Sequence, residues 1–134
     1  MNARSEQLDG TAPAAVRILI LEDEPLVRMV IREILKAQGF NVDEAQTGEE
    51  AIRKFLEARP IYDLLLMDYH LPQMSGPEVL SAIRQKFPAT KAILLSGSAA
   101  GPEFETAGVR ALLKPFNNAE LLQLVHETLG SRAH

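Results

Sequence analysis

Two hydrophobic spacings alternate along this chain, and each change from one to the other marks a strand or a helix. Largely apolar runs at residues 16–21, 64–67, 92–95 and 109–113 predict strands of a parallel sheet, and the uninterrupted run at 64–67 predicts a buried one. A partly polar run at 41–45 predicts a further strand at a sheet edge. Between these runs, apolar residues recur every three or four positions, which predicts amphipathic helices. The alternation indicates a doubly wound α/β domain with right-handed crossovers.

Proline, glycine and capping residues mark the ends of the helices. Four helices are predicted to begin at or near Pro25, Thr47, Gly76 and Asn117 and to end at or before Gly39, Pro60, Pro88 and Gly130. Thr47 and Glu50 have the spacing of a capping box, as do Asn117 and Glu120. The segment 98–108 contains two glycines and a proline, so we expect at most a turn or so of helix there.

Length and composition limit the classes of protein to consider. The 134 residues predict one domain at 16–130, with a flexible N-terminal tail at 1–15 and a C-terminal tail at 131–134. Cysteine is absent, which removes disulfides and thiolate sites. The formal charge of -4 argues against nucleic acid and anionic membranes as partners. No apolar run resembles a membrane span or a signal peptide, so we expect a cytoplasmic location.

Polar side chains follow four of the predicted strands directly: Glu22 and Asp23, then Asp68, Ser96 and Lys114. Parallel strands bring these ends to one edge of the sheet, where ligands of open α/β sheets bind. Three crowded carboxylates would repel one another and raise at least one pKa unless a cation neutralises them. Oxygen ligands without histidine or cysteine suit Mg²⁺. With a lysine and a hydroxyl beside them, the set suits phosphoryl transfer, with Asp68 as the nucleophile.

The motifs at these strand ends resemble those of the receiver domain of two-component response regulators. The similarity spans residues 16–130 and rests on Leu-Glu-Asp-Glu-Pro at 21–25, Met-Asp-Tyr-His-Leu-Pro at 67–72 with Gly76, Leu-Ser-Gly at 95–97 and Leu-Lys-Pro-Phe at 113–116. Each motif alone is weak, but their order and their places at strand ends make a strong joint signal. The resemblance implies a flavodoxin-like five-stranded sheet in the order 2-1-3-4-5.

The resemblance also implies a role for each residue. Asp68 would accept a phosphoryl group from a phosphohistidine. Mg²⁺ would be bound by Asp23, Asp68 and the backbone carbonyl of His70, with Glu22 holding a metal-bound water. Ser96 would donate a hydrogen bond to a phosphoryl oxygen, and Lys114 would pair with the group across a cis peptide to Pro115. The side chain of His70 is either solvated or leans over the phosphoryl group and changes its hydrolysis rate.

The partners implied are a histidine kinase or a histidine phosphotransfer protein and an unnamed downstream protein, with phosphorylation-dependent dimerisation left open. Catalysis would be limited to the chain's own phosphorylation and dephosphorylation. Four residues follow Gly130, so we expect a single-domain regulator or relay intermediate. The alternative within the family is a receiver domain cut from a hybrid histidine kinase.

The chain departs from the family pattern in two places. Ala111 occupies the position three residues before the lysine, where receiver domains usually carry tyrosine or phenylalanine. The segment between Ser96 and Lys114 is also short, so we expect the fourth helix to be short or absent. The hypothesis is that phosphorylation draws Ser96 inward and reorders the loop 97–108.

Two other functional classes compete with this interpretation. A haloacid-dehalogenase-type Mg²⁺ phosphohydrolase also uses an aspartate nucleophile at a strand end, but it needs a second aspartate where this chain has His70. A nucleotide-binding or structural flavodoxin-like domain would need a glycine-rich phosphate loop after the first strand. The acidic residues 22–24 would repel phosphate there.

Overall fold

A computed structural model describes residues 15–97 and 108–130. It contains five strands, β1 (Arg17–Leu21), β2 (Asn41–Ala45), β3 (Leu64–Asp68), β4 (Ala92–Ser96) and β5 (Val109–Leu113). The described helices are α1 (Pro25–Ala37), α2 (Gly48–Glu57), α3 (Gly76–Arg84) and α4 (Asn118–Leu129). The predicted tails at 1–14 and 131–134, and the expected short or absent fourth helix and its reordering loop at 98–107, lie outside the described residues.

All five strands are parallel and lie in the order β2-β1-β3-β4-β5, which confirms the predicted flavodoxin-like sheet. β3 is central and all five of its residues are buried, whereas β2 is half-buried and lies at the edge, as its polar pattern predicts. The register pairs Leu21 with Met67 and Asp68 with Leu95. This register brings the carboxyl ends of β1, β3 and β4 to one edge of the sheet.

Side chains of the sheet alternate between two apolar layers. Leu19, Leu65 and Met67 pack in the layer that contains α2 and α3 residues, and Ile18 and Leu66 pack in the layer that contains α1 and α4 residues. β3 and β4 are buried along their whole length, which explains why the runs at 64–67 and 92–95 are continuously apolar. The rigid sheet between two filled layers holds the strand-end residues in place.

The helix ends mostly follow the predicted capping residues. Asn117 and Glu120 form a reciprocal capping box at α4, as predicted. At α2, Thr47 accepts a hydrogen bond from the Glu50 amide, but the Glu50 carboxylate binds the Gln46 amide, so the capping is not reciprocal. α3 ends at Arg84 rather than reaching Pro88, because a turn stabilised by hydrogen bonds to the Ile83 carbonyl follows it.

Candidate functional site

Three carboxylates gather where β1 and β3 end. One oxygen from each of Glu22, Asp23 and Asp68 lies within 4.8 Å of the others. Glu22 and Asp68 are buried and Asp23 is exposed, so the group opens to solvent on one side. We call these three side chains the acidic cluster. Its position confirms that the strand ends Glu22, Asp23 and Asp68 meet, as the parallel topology predicts.

Lys114 joins this cluster from the end of β5. Its Nζ donates a hydrogen bond to Asp68 Oδ2 at 2.9 Å and lies 3.5 Å from Glu22 Oε1. Burial works to lower the pKa of Lys114, but the hydrogen bond to Asp68 and the charge of Glu22 outweigh it and raise the pKa. Lys114 is therefore positively charged at neutral pH. The Lys114–Pro115 peptide is cis, as the resemblance implies.

Burial disfavours the charged form of Glu22. Its side chain is fully buried, and burial raises its pKa, with the charges of Asp68 and Asp23 adding to the effect. The Glu24 amide donates to Glu22 Oε2 at 3.1 Å and, together with Lys114, partly offsets that rise. Burial is thus the main cause of the raised pKa of Glu22, and the predicted crowding of carboxylates contributes a smaller part.

The Asp68 side chain is held on both oxygens. Lys114 occupies Oδ2, and the backbone N–H of His70 donates to Oδ1 at 3.2 Å. The turn after β3 is tied down as well, because the Tyr69 amide donates to the Leu95 carbonyl and the Gly76 amide donates to the Tyr69 carbonyl. A Cβ at Gly76 would lie 2.8 Å from the Asp68 carbonyl oxygen, so glycine allows α3 to approach the backbone of Asp68.

Ser96 and His70 complete the set of predicted residues. Ser96 is buried at the end of β4, and its carbonyl accepts the Lys114 amide at 2.7 Å, so it lies beside the lysine. The His70 side chain is exposed and contacts the Tyr69 ring edge-on at a centroid distance of 4.8 Å. The phosphoryl contact of Ser96 and the metal contact of the His70 carbonyl stay predictions.

The residues present fit a hydrated divalent cation. Glu22 Oε1 is buried and has no hydrogen-bond partner among the described residues. A buried carboxylate oxygen without a donor is costly, and a water bound to a cation would supply one. Hard oxygen ligands without sulfur or imidazole favour Mg²⁺. Asp23 and Asp68 would hold such an ion directly.

Comparison with known proteins identifies the family. The family model of the response regulator receiver domain matches residues 18–126. The chain belongs to this family. Receiver domains are signalling phosphoacceptors that interact with histidine kinases or phosphotransfer proteins. The family confirms the suspected resemblance and disfavours the phosphohydrolase and nucleotide-binding alternatives.

Curated relatives of this receiver domain are longer than the chain. It is 38% identical over 119 residues to the transcriptional regulatory protein ResD of Bacillus subtilis, covering 84% of this chain and 48% of ResD. It is 36% identical over 116 residues to the cell cycle response regulator CtrA of Brucella ovis, covering 83% of this chain and 49% of CtrA. The chain thus spans about half the length of these relatives.

Solved structures of receiver domains superpose over most of the chain. A CheY-like receiver domain protein of Methanospirillum hungatei has a TM-score of 0.80 at 29% identity, covering 90% of this chain and 98% of that one. TrrA of Thermotoga maritima, solved with Mg²⁺ and BeF, has a TM-score of 0.73 at 35% identity and coverages of 84% and 98%. The receiver domain of a Pseudomonas aeruginosa sensor histidine kinase, with magnesium in its active-site cleft, has a TM-score of 0.75 at 32% identity and coverages of 87% and 99%.

Two residues that support the site were not found from the sequence. Arg28 of α1 donates to the Glu22 carbonyl at 2.7 Å, and Glu44 of β2 holds that guanidinium at 3.0 Å. The available signal was weak: a basic residue in the first turn of an otherwise apolar helix segment that follows the acidic run.

The described residues contain no helix with the length and hydropathy of a membrane span.

Proposed function

We propose that this receiver domain accepts a phosphoryl group on Asp68 from a phosphohistidine, in a reaction that depends on Mg²⁺. The observation that carries the proposal is the contact of Lys114 with a buried aspartate inside the acidic cluster. In the transfer, an Asp68 carboxylate oxygen bonds to phosphorus, the phosphorus–nitrogen bond of the donor breaks, and the imidazole leaves with the electron pair.

Each neighbouring residue has a stated part in this proposal. Asp23 and Asp68, with the backbone carbonyl of His70, would hold Mg²⁺, and Glu22 would hold a bound water. The ion supplies positive charge for the oxygens of the transferring group. Lys114 supplies a second positive charge beside Asp68, and the Ser96 hydroxyl would donate to a phosphoryl oxygen. The magnesium-bound relatives support Mg²⁺ as the ion.

Intact mass spectrometry after incubation with acetyl phosphate and Mg²⁺ tests the phosphoacceptor. The expected result is one added phosphoryl group in the wild type and none in Asp68→Asn. Asp63→Asn is the matched control, since Asp63 accepts the Arg17 amide at the opposite end of the sheet. An adduct that persists in Asp68→Asn, or none in the wild type, contradicts the proposal.

An apolar groove beside the site suits docking of the phosphodonor protein. The groove has a volume of about 580 Å³ and runs between α1 and the segment after β5, lined by Leu26, Val27, Val30, Ile31, Lys114, Pro115 and Phe116. Leu26 is 70% exposed and Val30 is 51% exposed. Because Lys114 is part of both the groove and the acidic cluster, a protein seated here can present a phosphohistidine to Asp68.

Substitution of a residue in the groove distinguishes a defect in docking of the phosphodonor protein from a defect in phosphorylation of Asp68. Leu26→Asp is expected to slow phosphoryl transfer from a phosphorylated histidine phosphotransfer protein while acetyl phosphate still labels Asp68 at the wild-type rate. Ile61→Asp is the control, because Ile61 is an exposed apolar residue just before β3, at the opposite end of the sheet. Equal transfer rates in all three proteins would exclude this face as the docking site.

We propose a single-domain regulator or relay intermediate as the setting of this chemistry, signalling to a downstream protein by phosphorylation-dependent contact. The receiver part of a hybrid histidine kinase has the same site chemistry, as the kinase receiver domain among the relatives illustrates. An immunoblot of cytosolic and membrane fractions of the source cells measures the size of the native polypeptide. This size distinguishes a single-domain protein from a hybrid kinase, and the fraction that contains the band tests the cytoplasmic location. A band near 14.8 kDa in the cytosol supports the single-domain role, and a much larger band contradicts it.

A further inference from the structure

Arg28 makes an unusual contact for a surface helix residue, because its guanidinium reaches the backbone of the acidic turn. Its Nη1 donates to the Glu22 carbonyl oxygen at 2.7 Å, and its own amide donates to the Glu24 carbonyl at 2.9 Å. The Arg28 side chain is 11% exposed, so the contact is largely shielded from water. The second bond is the ordinary first bond of the helix, so the contact specific to arginine is the one with the Glu22 carbonyl.

Glu44 of β2 holds the guanidinium in place. Its Oε1 lies 3.0 Å from Arg28 Nε, and its Oε2 lies 2.8 Å from Arg32 Nη1. From the same side, the Glu22 amide donates to the Ala45 carbonyl of β2 at 3.3 Å. The main chain of Glu22 is thus tied to β2 in two ways. Its N–H bonds to Ala45 directly, and its carbonyl bonds to Arg28, which in turn pairs with Glu44.

The bonded carbonyl belongs to the peptide group that joins Glu22 to Asp23. A peptide group is planar, so fixing its carbonyl also fixes the direction of the Asp23 amide and the position of the Asp23 Cα. Asp23 is exposed, and repulsion from Glu22 and Asp68 would favour its turning away from them. Restraint of the backbone limits how far the Asp23 Cα can move away from Asp68.

We propose that Arg28, anchored by Glu44, is a positioning residue for the divalent cation: it holds Asp23 against Asp68 and thereby sets the affinity for Mg²⁺. This inference rests on the proposed function, because it assumes that the acidic cluster binds the ion. It goes further by assigning a role to two residues outside the cluster and its lysine. Partners of metal ligands typically change metal affinity by about 10–100-fold when they are removed.

The test is the Mg²⁺ dissociation constant of purified, unphosphorylated protein, measured by calorimetry and by titration of backbone amide resonances. Arg28→Met is expected to raise the dissociation constant about tenfold. Arg32→Met is the matched control, since Arg32 also pairs with Glu44 but makes its other contact to Glu33. For this control we expect a change below about twofold, together with a comparable loss of melting temperature.

A second variant covers the case in which Arg28→Met does not fold. Arg28→Lys keeps the charge but cannot bond the Glu22 carbonyl and Glu44 with a rigid fork, so a smaller rise is expected. Wild-type affinity in folded Arg28 variants overturns the inference, as does an equal loss in Arg32→Met, which would indicate a general effect on folding. Absence of Mg²⁺ binding in the wild type instead contradicts the proposed function itself, and this inference with it.

Discussion

Lys114 Nζ lies 2.9 Å from Asp68 Oδ2 and 3.5 Å from Glu22 Oε1, so one ammonium group is shared by two buried carboxylates. Asp23 brings a third negative charge within 4.8 Å. The site therefore carries an excess of negative charge as it stands. This imbalance disfavours the metal-free protein and favours binding of a cation, which links the stability of the domain to its chemistry.

Removal of Lys114 should increase the excess of negative charge in the site and so destabilise the metal-free protein. Lys114→Met is expected to lower the free energy of unfolding of the metal-free protein by about 1–3 kcal/mol at pH 7, because it leaves Asp68 Oδ2 without its donor and removes the positive charge beside Glu22. Added Mg²⁺ should restore more stability in this variant than in the wild type, since the ion replaces the lost charge. Urea unfolding with and without Mg²⁺ measures both effects.

Lys86→Met is the control for the loss of one lysine, because Lys86 is exposed and lies beside Phe87 away from the acidic cluster. Its stability should respond to Mg²⁺ as the wild type does. If Lys114→Met and Lys86→Met behave alike, the lysine is not the main counter-charge of Asp68 and Glu22.

Neutralising Glu22 should stabilise the domain while weakening its metal site. The folded protein raises the pKa of Glu22 above its usual 4.5, so the stability that protonated Glu22 contributes is present at low pH and lost as pH rises through the raised pKa. Glu22→Gln keeps a neutral side chain at pH 7, and we expect about 1 kcal/mol of added stability without metal. Thermal unfolding and Mg²⁺ titration of the same samples measure the two effects.

Glu49→Gln provides the comparison, since Glu49 lies exposed in the first turn of α2. It should change neither the melting temperature nor the Mg²⁺ affinity appreciably. A Glu22→Gln variant less stable than the wild type would show that its contacts with Lys114 and the Glu24 amide outweigh the cost of its burial.

Substitution of Gly76 should displace the backbone of Asp68. A Cβ at this position would lie 2.8 Å from both the Asp68 carbonyl oxygen and Leu94 Cδ2, so Gly76→Ala should cost about 1–3 kcal/mol of stability and weaken Mg²⁺ binding. Gly48→Ala is the matched control, because a Cβ at Gly48 would clash with Val79 and Met74 instead of Asp68. It should destabilise the fold with Mg²⁺ affinity unchanged, and equal affinities in both variants would contradict a backbone effect on Asp68.

The sequence was sufficient to predict which side chains meet, because parallel topology alone decides it. Apolar runs end directly before Glu22, Asp68 and Lys114, and parallel strands bring those ends together whatever the loops do. The contact of Arg28 with the Glu22 carbonyl could not be predicted, nor could the difference between buried Glu22 and exposed Asp23. That contact depends on the packing of α1 on β2, which local pattern does not encode.

The pair of Glu44 with Arg28 and Arg32 should make stability depend on pH in the acid range. Burial works to raise the pKa of Glu44, but hydrogen bonds from Arg32 and Arg28 outweigh it and lower the pKa below its usual 4.5. A carboxylate with a lowered pKa contributes stability that is present above pH 4.5 and is lost as pH falls through the folded-state pKa. Between pH 5.5 and pH 3.5, roughly, the wild type should therefore lose more free energy of unfolding than Glu44→Gln, which cannot be protonated in this range.

Urea unfolding at the two pH values measures the difference, with Glu57→Gln as control because Glu57 makes an exposed pair with Arg53 at 3.6 Å. Equal acid sensitivity in the wild type and Glu44→Gln would mean that the arginine pair contributes little to stability, and would leave Arg28 its contact with the Glu22 carbonyl as its main role.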